Sequence, residues 1–287
     1  MMTIVQSTAI PAPSLTRTAI GPIEHIDSGA GPALLALHGG MGGYDQGWLL
    51  GRALLTEPDR WRLVAPSRPG YLGTANRLGT TPEQQADAMA RLLDALGINC
   101  AIVAAVSAGG PTAQHFALRH PDRCRGLVLV STPTGALETA DAFLSRLRPM
   151  RWLARIPGVL GVMRRRAVAD PLAAALRAIP DRTLAEATLA HPKAGPLLRA
   201  LQATTLDRLS RRLPGTWSDT TLLRTLPAVP LERIPCPVLV IHGTMDPVVP
   251  VRHAEHAIRQ TGTAHALLVD GGGHNTLFSH LEQVRAA

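Results

Sequence analysis

Acyl-transfer chemistry by a nucleophile needs a hydroxyl or thiol held beside a base, and a third group to orient the base. One serine in this chain stands where such a nucleophile could be presented. Ser107 lies in Val103-Ala104-Ala105-Val106-Ser107-Ala108-Gly109-Gly110, between an apolar strand-like run and a helical pattern. Ala105 and Gly109 flank it two residues either side, and small residues there permit the tight strand-to-helix turn that exposes a strained serine at the edge of a sheet. A base is available in His274, which follows the apolar run ending at Val269 through Asp270-Gly271-Gly272-Gly273. Asp246, in Ile241-His242-Gly243-Thr244-Met245-Asp246-Pro247, follows the preceding run and is the candidate acid. Asp270 and Glu138 are its rivals, the first for its nearness to His274 and the second because it follows another strand pattern. A further glycine-rich stretch, His38-Gly39-Gly40-Met41-Gly42-Gly43, comes directly after the first long apolar run. Backbone N–H groups there could hold a developing oxyanion, with Gly40 the first choice and Met41 the alternative, and the Ala108 N–H would be the second donor. A phosphate loop would need a following Lys-Ser or Lys-Thr pair, which is absent.

These residues need strands to carry them. Apolar runs recur at Ala33–Leu37, Leu63–Ala65, Ala101–Val106, Leu127–Val130, Val238–Ile241 and Ala266–Val269, without polar alternation, as expected of parallel strands buried on both faces. Helical patterns lie between them. Thr81 to Leu96 has Thr81 and Gln84 as a capping box, Pro82 in the first turn and Gly97 as its stop. Ala108 to Arg119 should end at His120-Pro121. Strands alternating with helices predict an α/β fold with a mostly parallel sheet. Thr16–Ile20 and Ile23–Asp27, around Gly21-Pro22, predict an antiparallel hairpin at the start. The alternation stops after Ser131-Thr132-Pro133 and resumes at Pro235-Cys236-Pro237. The interval reads as short helices punctuated by Pro157, Pro171, Pro180, Pro192, Pro196 and Pro214. The expected organisation is therefore a core of residues 1–133 and 231–287, with a helical insert at 134–230.

Taken together, these segments resemble the α/β-hydrolase superfamily, specifically its capped serine hydrolases, over nearly the whole chain. The order Ser107, Asp246, His274 is the order of that superfamily's triad. Ala65-Pro66-Ser67-Arg68-Pro69-Gly70-Tyr71 is similar to its stretch after the next strand, although many relatives carry Asp where Ser67 stands. Gly43-Tyr44-Asp45-Gln46-Gly47 resembles a bacterial subgroup of uncharacterised hydrolases. The resemblance implies an α/β-hydrolase fold with the 134–230 insert as a cap. It also implies ester hydrolysis through an acyl-enzyme on Ser107, with no metal or organic cofactor required. The same triad serves carbon–carbon bond hydrolases, lactonases, aminopeptidases and cofactor-free haloperoxidases, so these stay open, as does a non-enzymatic small-molecule receptor on the same scaffold. Haloalkane dehalogenases and epoxide hydrolases use Asp at the nucleophile and are disfavoured. Met41, Tyr44, Tyr71, Trp152, Trp217 and Phe278 are candidate pocket residues around a small acyl substrate.

Composition narrows the setting. The formal charge of +8 is concentrated between residues 134 and 234, where fifteen arginines and one lysine face eight acids. Arg164-Arg165-Arg166 and Arg211-Arg212 read as a solvated face, or as a field that attracts anionic substrates or an anionic lipid surface. No aromatic-interleaved basic motif or zinc-finger pattern accompanies them, so nucleic acid is not an expected partner. His253 and His256 lie three apart on a helical pattern with no third ligand and read as a solvated face rather than zinc ligands. Cys100, Cys124 and Cys236 each precede a strand pattern and are expected to be structural rather than a disulfide framework. With no signal-peptide block in Met1 to Ile20 and no bilayer-length apolar run, the expected location is cytoplasmic.

Overall fold

The computed structural model of the chain describes residues 9–154, 156, 158–262 and 264–287, so Met1 to Thr8 and Pro157, both used above, lie outside the described residues. Among the described residues eight strands form one sheet in the order β1-β2-β4-β3-β5-β6-β7-β8. β1 (Ser14–Thr18) and β2 (Gly21–Ser28) pair antiparallel, and β2 pairs antiparallel with β4 (Arg62–Pro66). From β4 onward β3 (Ala33–Leu37), β5 (Ala101–Val106), β6 (Cys124–Val130), β7 (Val238–Gly243) and β8 (Ala264–Val269) are all parallel. Every predicted strand is present. The hairpin turn falls earlier than expected, at Ala19-Ile20, and Gly21 and Pro22 pair within the ladder opposite Thr18 and Arg17. Thr18 Oγ1 closes this turn by donating to Gly21 O at 2.7 Å, and Gly21 takes a positive φ. β8 is not buried on both faces, because it is the sheet's edge and Leu268 is exposed.

Alternation along the inner strands feeds two cores. Leu35, Leu37, Val103 and Ala105 face one side and pack with Met89 and Phe116. Leu34, Ala36 and Ala104 face the other and pack with Trp48, Leu49 and Phe278. Each large apolar side chain so buried contributes about 1.5–3 kcal/mol relative to exposure. The flanking helices are α1 (Tyr44–Leu54), α2 (Pro82–Ala95) and α3 (Gly110–Arg119). α1 lies unusually close to the sheet: a Cβ on Gly47 would sit 2.6 Å from Ala36 O. In α2, Thr81 caps as predicted by accepting from Gln84 N, but Gln84 Oε1 returns to Thr80 N rather than to Thr81.

Among the described residues between β6 and β7 there are six α-helices: α4 (Ala140–Leu153), α5 (Val159–Ala169), α6 (Pro171–Leu176), α7 (Arg182–Ala190), α8 (Ala194–Leu206) and α9 (Leu209–Leu223). After β7 come α10 (Arg252–Gln260), then β8, α11 (Thr276–Ser279) and α12 (Leu281–Ala286). No helix among the described residues is long and apolar enough to cross a membrane. The Sγ atoms of Cys124 and Cys236 lie 3.7 Å apart as hydrogen-bonded thiols.

α9 is fastened to the sheet layer by polar contacts from one face, one helical turn apart. Arg212, fully buried, forms a bidentate pair with Asp45 at the start of α1. Thr216 Oγ1 accepts from Met41 N at 2.9 Å. Asp219 Oδ2 accepts from Arg68 Nη2 and from Tyr71 Oη, each at 2.6 Å. Arg212 therefore does not belong to the solvated face assigned to the Arg211-Arg212 pair, because its charge is neutralised inside the protein.

Candidate active site

Ser107 begins the 3-10 turn Ser107–Gly109 that joins β5 to α3, and its φ is +52°. A non-glycine residue held in that left-handed region costs about 1–3 kcal/mol, and here it lifts the side chain clear of the strand end. The small flanking residues do what the turn requires. Ala105 is fully buried in β5, and a Cβ on Gly109 would come within 2.6 Å of His38 O, pushing away the glycine-rich loop.

His274 leaves the glycine turn after β8 with its Nε2 3.1 Å from Ser107 Oγ. Its Nδ1 lies 2.8 Å from Asp246 Oδ2. Asp246, on the loop after β7, turns its other oxygen to the N–H groups of Val248 at 2.8 Å and Val249 at 3.0 Å. Burial raises its carboxyl pKa, but the bond and charge of His274 and the two N–H donors more than offset this, so the carboxyl titrates below its ordinary range. Behind it, His242 is kept neutral chiefly by burial and donates from Nε2 to Val249 O at 2.8 Å. The rival acids do not reach His274. Asp270 is exposed and accepts from Thr244 Oγ1, and Glu138 is exposed and paired with Arg252.

The glycine-rich loop after β3 is held from below by His38. Burial and the neighbouring Arg68 push the pKa of this imidazole well below its usual value, so it is neutral. Its Nδ1–H donates to Gly39 O at 2.7 Å and its Nε2 accepts from Arg68 N at 3.0 Å. Arg68 Nε also donates to His38 O at 2.9 Å. On the other side Met41, at φ +60°, has its N–H occupied by Thr216. That contact engages the N–H of Met41, the alternative candidate, while Gly40 and Ala108 both line the space around Ser107. Ser67, where many similar proteins carry an acid, donates from Oγ to Glu24 Oε2 at 2.8 Å and accepts from Tyr44 N at 3.1 Å. A carboxylate is thus present at this corner after all, supplied by β2.

Ser107, His274, Gly40 and Ala108 open into a chamber of about 490 Å³, a size typical of small-molecule sites. Its wall is largely apolar and includes Met41 and Phe278. The other four predicted pocket residues do not line it. Tyr44 is buried, with Arg208 Nη2 from the turn between α8 and α9 donating to its hydroxyl, and Tyr71 is buried against Asp219. Trp152 is 64% exposed, and Trp217 faces a separate outer groove under the Arg151 guanidinium. Whether a large aromatic residue is buried, and on which side of its helix, depends on packing that pattern alone does not show, as the exposed Trp152 illustrates. His253 is buried rather than solvated: its Nδ1 accepts from Thr134 N at 3.2 Å, and burial lowers its pKa to about 4. No cluster of metal-ligating residues occurs among the described residues.

Sequence reasoning missed Thr216 and Asp219 and placed Arg212 on the surface, although their spacing of four and three marks a polar stripe on one helical face. It also missed Asn275, whose Nδ2 donates to Ala178 O at 3.2 Å and ties the loop after His274 to the α6–α7 segment.

The family model for the alpha/beta hydrolase fold matches residues 32–281. An uncharacterised hydrolase of Bacillus subtilis is 26% identical over 262 residues, covering 88% of each chain. A pimeloyl-[acyl-carrier protein] methyl ester esterase of Chromobacterium violaceum is 31% identical over 225 residues, covering 78% of this chain and 79% of that one. An alpha/beta hydrolase fold protein from Nakamurella multipartita superposes with a TM-score of 0.79 at 28% identity, covering 96% of this chain and 99% of its own. With the eight-stranded sheet, its helical flanks and a match spanning residues 32–281, the chain belongs to the α/β-hydrolase fold family.

Proposed function

We propose that the protein is a serine hydrolase that cleaves a carboxylic ester, or a related acyl compound, through an acyl-enzyme on Ser107. The observation that carries this reading is the unbroken line from Ser107 Oγ through His274 to Asp246, at 3.1 and 2.8 Å, opening on an apolar chamber. Its likeness to a methyl ester esterase supports an ester as the substrate. The helices between residues 134 and 230 act as a cap, and the enzyme works in the cytoplasm.

In this mechanism Ser107 Oγ adds to the substrate carbonyl carbon while His274 Nε2 takes its proton. The negative charge that develops on the carbonyl oxygen is met by the N–H groups of Gly40 and Ala108, which are fixed before substrate arrives. His274 then gives its proton to the departing alkoxide, leaving the acyl group on Ser107. A water deprotonated by the same imidazole attacks that acyl carbon and releases the acid. Asp246 keeps Nδ1 protonated and stabilises the imidazolium, and the Val248 and Val249 N–H groups keep Asp246 ionised. A panel of acyl esters, lactones and vinylogous diketones, with Ser107→Ala as control, tests the proposal. Esters should be turned over and the variant should lose about 10³-fold or more. Preference for the diketones, or wild-type turnover by Ser107→Ala, would refute it.

A further inference from the structure

The catalytic chamber is apolar over most of its wall, yet it holds polar side chains that the acyl-transfer steps do not use. Gln46 is occupied: its Nε2 donates to Met41 O at 3.3 Å and to Thr205 Oγ1 at 3.2 Å. Gln202, on α8 one turn before Thr205, is not. Its Nε2 is shut off from solvent and has no hydrogen-bond partner among the described residues. With no accessible surface, that amide nitrogen is also out of reach of a ligand in the chamber, so Gln202 supplies no contact there. A further group is Arg177, between α6 and α7, whose side chain also lines the chamber. Its neighbour Ala178 receives the Asn275 bond, so this segment stands beside the His274 loop.

Arg177 is the arginine of the helical segment that lines the chamber, although Arg146, Arg148, Arg165, Arg166 and Arg211 share its lack of a side-chain partner among the described residues. Arg182 pairs with Glu186, Arg164 and Arg208 with Asp207, Arg212 with Asp45, and Arg224 with Asp141. Among the described residues Arg177 has neither an ion pair nor a hydrogen bond. Arg177 is exposed, and beside His274 it is the one charged or titratable side chain lining the chamber among the described residues, so an anionic group on a ligand would meet its guanidinium there.

We infer that the chamber selects esters whose acyl chain carries a carboxylate a few carbons from the scissile carbonyl, with Arg177 as the specificity-determining residue. The apolar wall takes the methylene chain, and the guanidinium receives the carboxylate. This inference rests on the ester-hydrolase reading of Ser107 and extends it from a reaction to a substrate class. It also replaces a diffuse attraction by the basic insert with one residue inside the site.

Monomethyl adipate and methyl hexanoate, which share a chain length and differ in the remote carboxylate, are the probes, with monomethyl glutarate and methyl pentanoate as a second pair. The wild-type enzyme should favour the acid ester in kcat/KM by at least about tenfold, equivalent to about 1.4 kcal/mol. Arg177→Gln should bring that ratio close to one. Arg182→Gln, which removes a neighbouring charge outside the chamber, should keep it. Calorimetric binding of the same esters to Ser107→Ala should show the same preference, lost when Arg177→Gln is added. A wild-type ratio at or below one, or a ratio unmoved by Arg177→Gln, would overturn the inference. If neither ester were hydrolysed, the esterase reading would fail, and the binding arm would still decide: tighter binding of the acid ester through Arg177 would uphold the recognition site, and equal binding would overturn it.

Discussion

Thr216 is the point at which the helical segment reaches the oxyanion loop, so Thr216→Val isolates what that contact does. The substitution keeps the shape of the side chain and removes only the oxygen that accepts from Met41 N at 2.9 Å. A shielded backbone N–H left without an acceptor costs about 1–3 kcal/mol. Met41 sits at φ +60°, a conformation that itself costs about 1–3 kcal/mol and that the Thr216 bond helps to hold. Both costs are relieved if the loop relaxes, and relaxation carries the adjacent Gly40 N–H off its position. Loss of a whole oxyanion donor lowers kcat by about 10²–10³-fold, so partial displacement should lower it by about 10–100-fold. KM should stay within about twofold, because ground-state contacts with the chamber wall are unchanged. The Arg212–Asp45 and Arg68–Asp219 pairs still dock α9, so the variant should fold. Steady-state kinetics on an ester the wild type hydrolyses, with Thr216→Ser as the conservative control, measure the effect. Unchanged kcat in Thr216→Val, or an equal loss in Thr216→Ser, would refute the positioning argument.

Three further predictions come from the buried charges and acids. Asp246→Asn should cut turnover by about 10⁴-fold, whereas Asp270→Asn and Glu138→Gln should stay near wild type; the reverse order in an ester assay would remove Asp246 from the mechanism. Arg212→Met should cost about 3–5 kcal/mol in urea unfolding because it strands Asp45 inside the protein, while exposed Arg211→Met should change stability by less than about 0.5 kcal/mol. His253 takes up its proton at about 4 in the folded protein, against about 6.5 in the unfolded chain. The unfolded state therefore binds more protons between those values, and acidification from about pH 6.5 to about 4 should remove about 3 kcal/mol of stability on this account. His253→Gln should flatten the curve in that window, and an unaltered slope in denaturant titrations would contradict the assignment.

The sheet and the three central residues were legible because their signals are local. Val, Leu, Ile and Ala runs mark strands buried on both faces, and Ser107, Asp246 and His274 each stand just past the carboxyl end of such a run. Edge position is not a local property, which is why β8 read as buried. The tie between α9 and the oxyanion loop joins Thr216 to Met41 and Asp219 to Arg68 across more than a hundred residues, and nothing near either end of these pairs announces the other. The pocket residues were misjudged for a related reason. Tyr44 and Tyr71 satisfy their hydroxyls on Arg208 and Asp219 inside the fold, so neither is left to face the chamber. Phe278 and Met41 reach it because the segments carrying them directly adjoin His274 and Gly40. Arg212 was read as a surface charge because its partner Asp45 lies on another element far away in sequence.

Covalent labelling of Ser107 is the most direct measurement. A fluorophosphonate probe incubated with the folded protein should add one group, recovered by mass spectrometry on the peptide containing Ser107. Ser107→Ala should take up none, and His274→Gln should be labelled far more slowly, because the hydroxyl is activated only through that imidazole. Wild-type protein that remains unlabelled, or a Ser107→Ala protein labelled as fast as wild type, would contradict the assignment of Ser107 as the nucleophile.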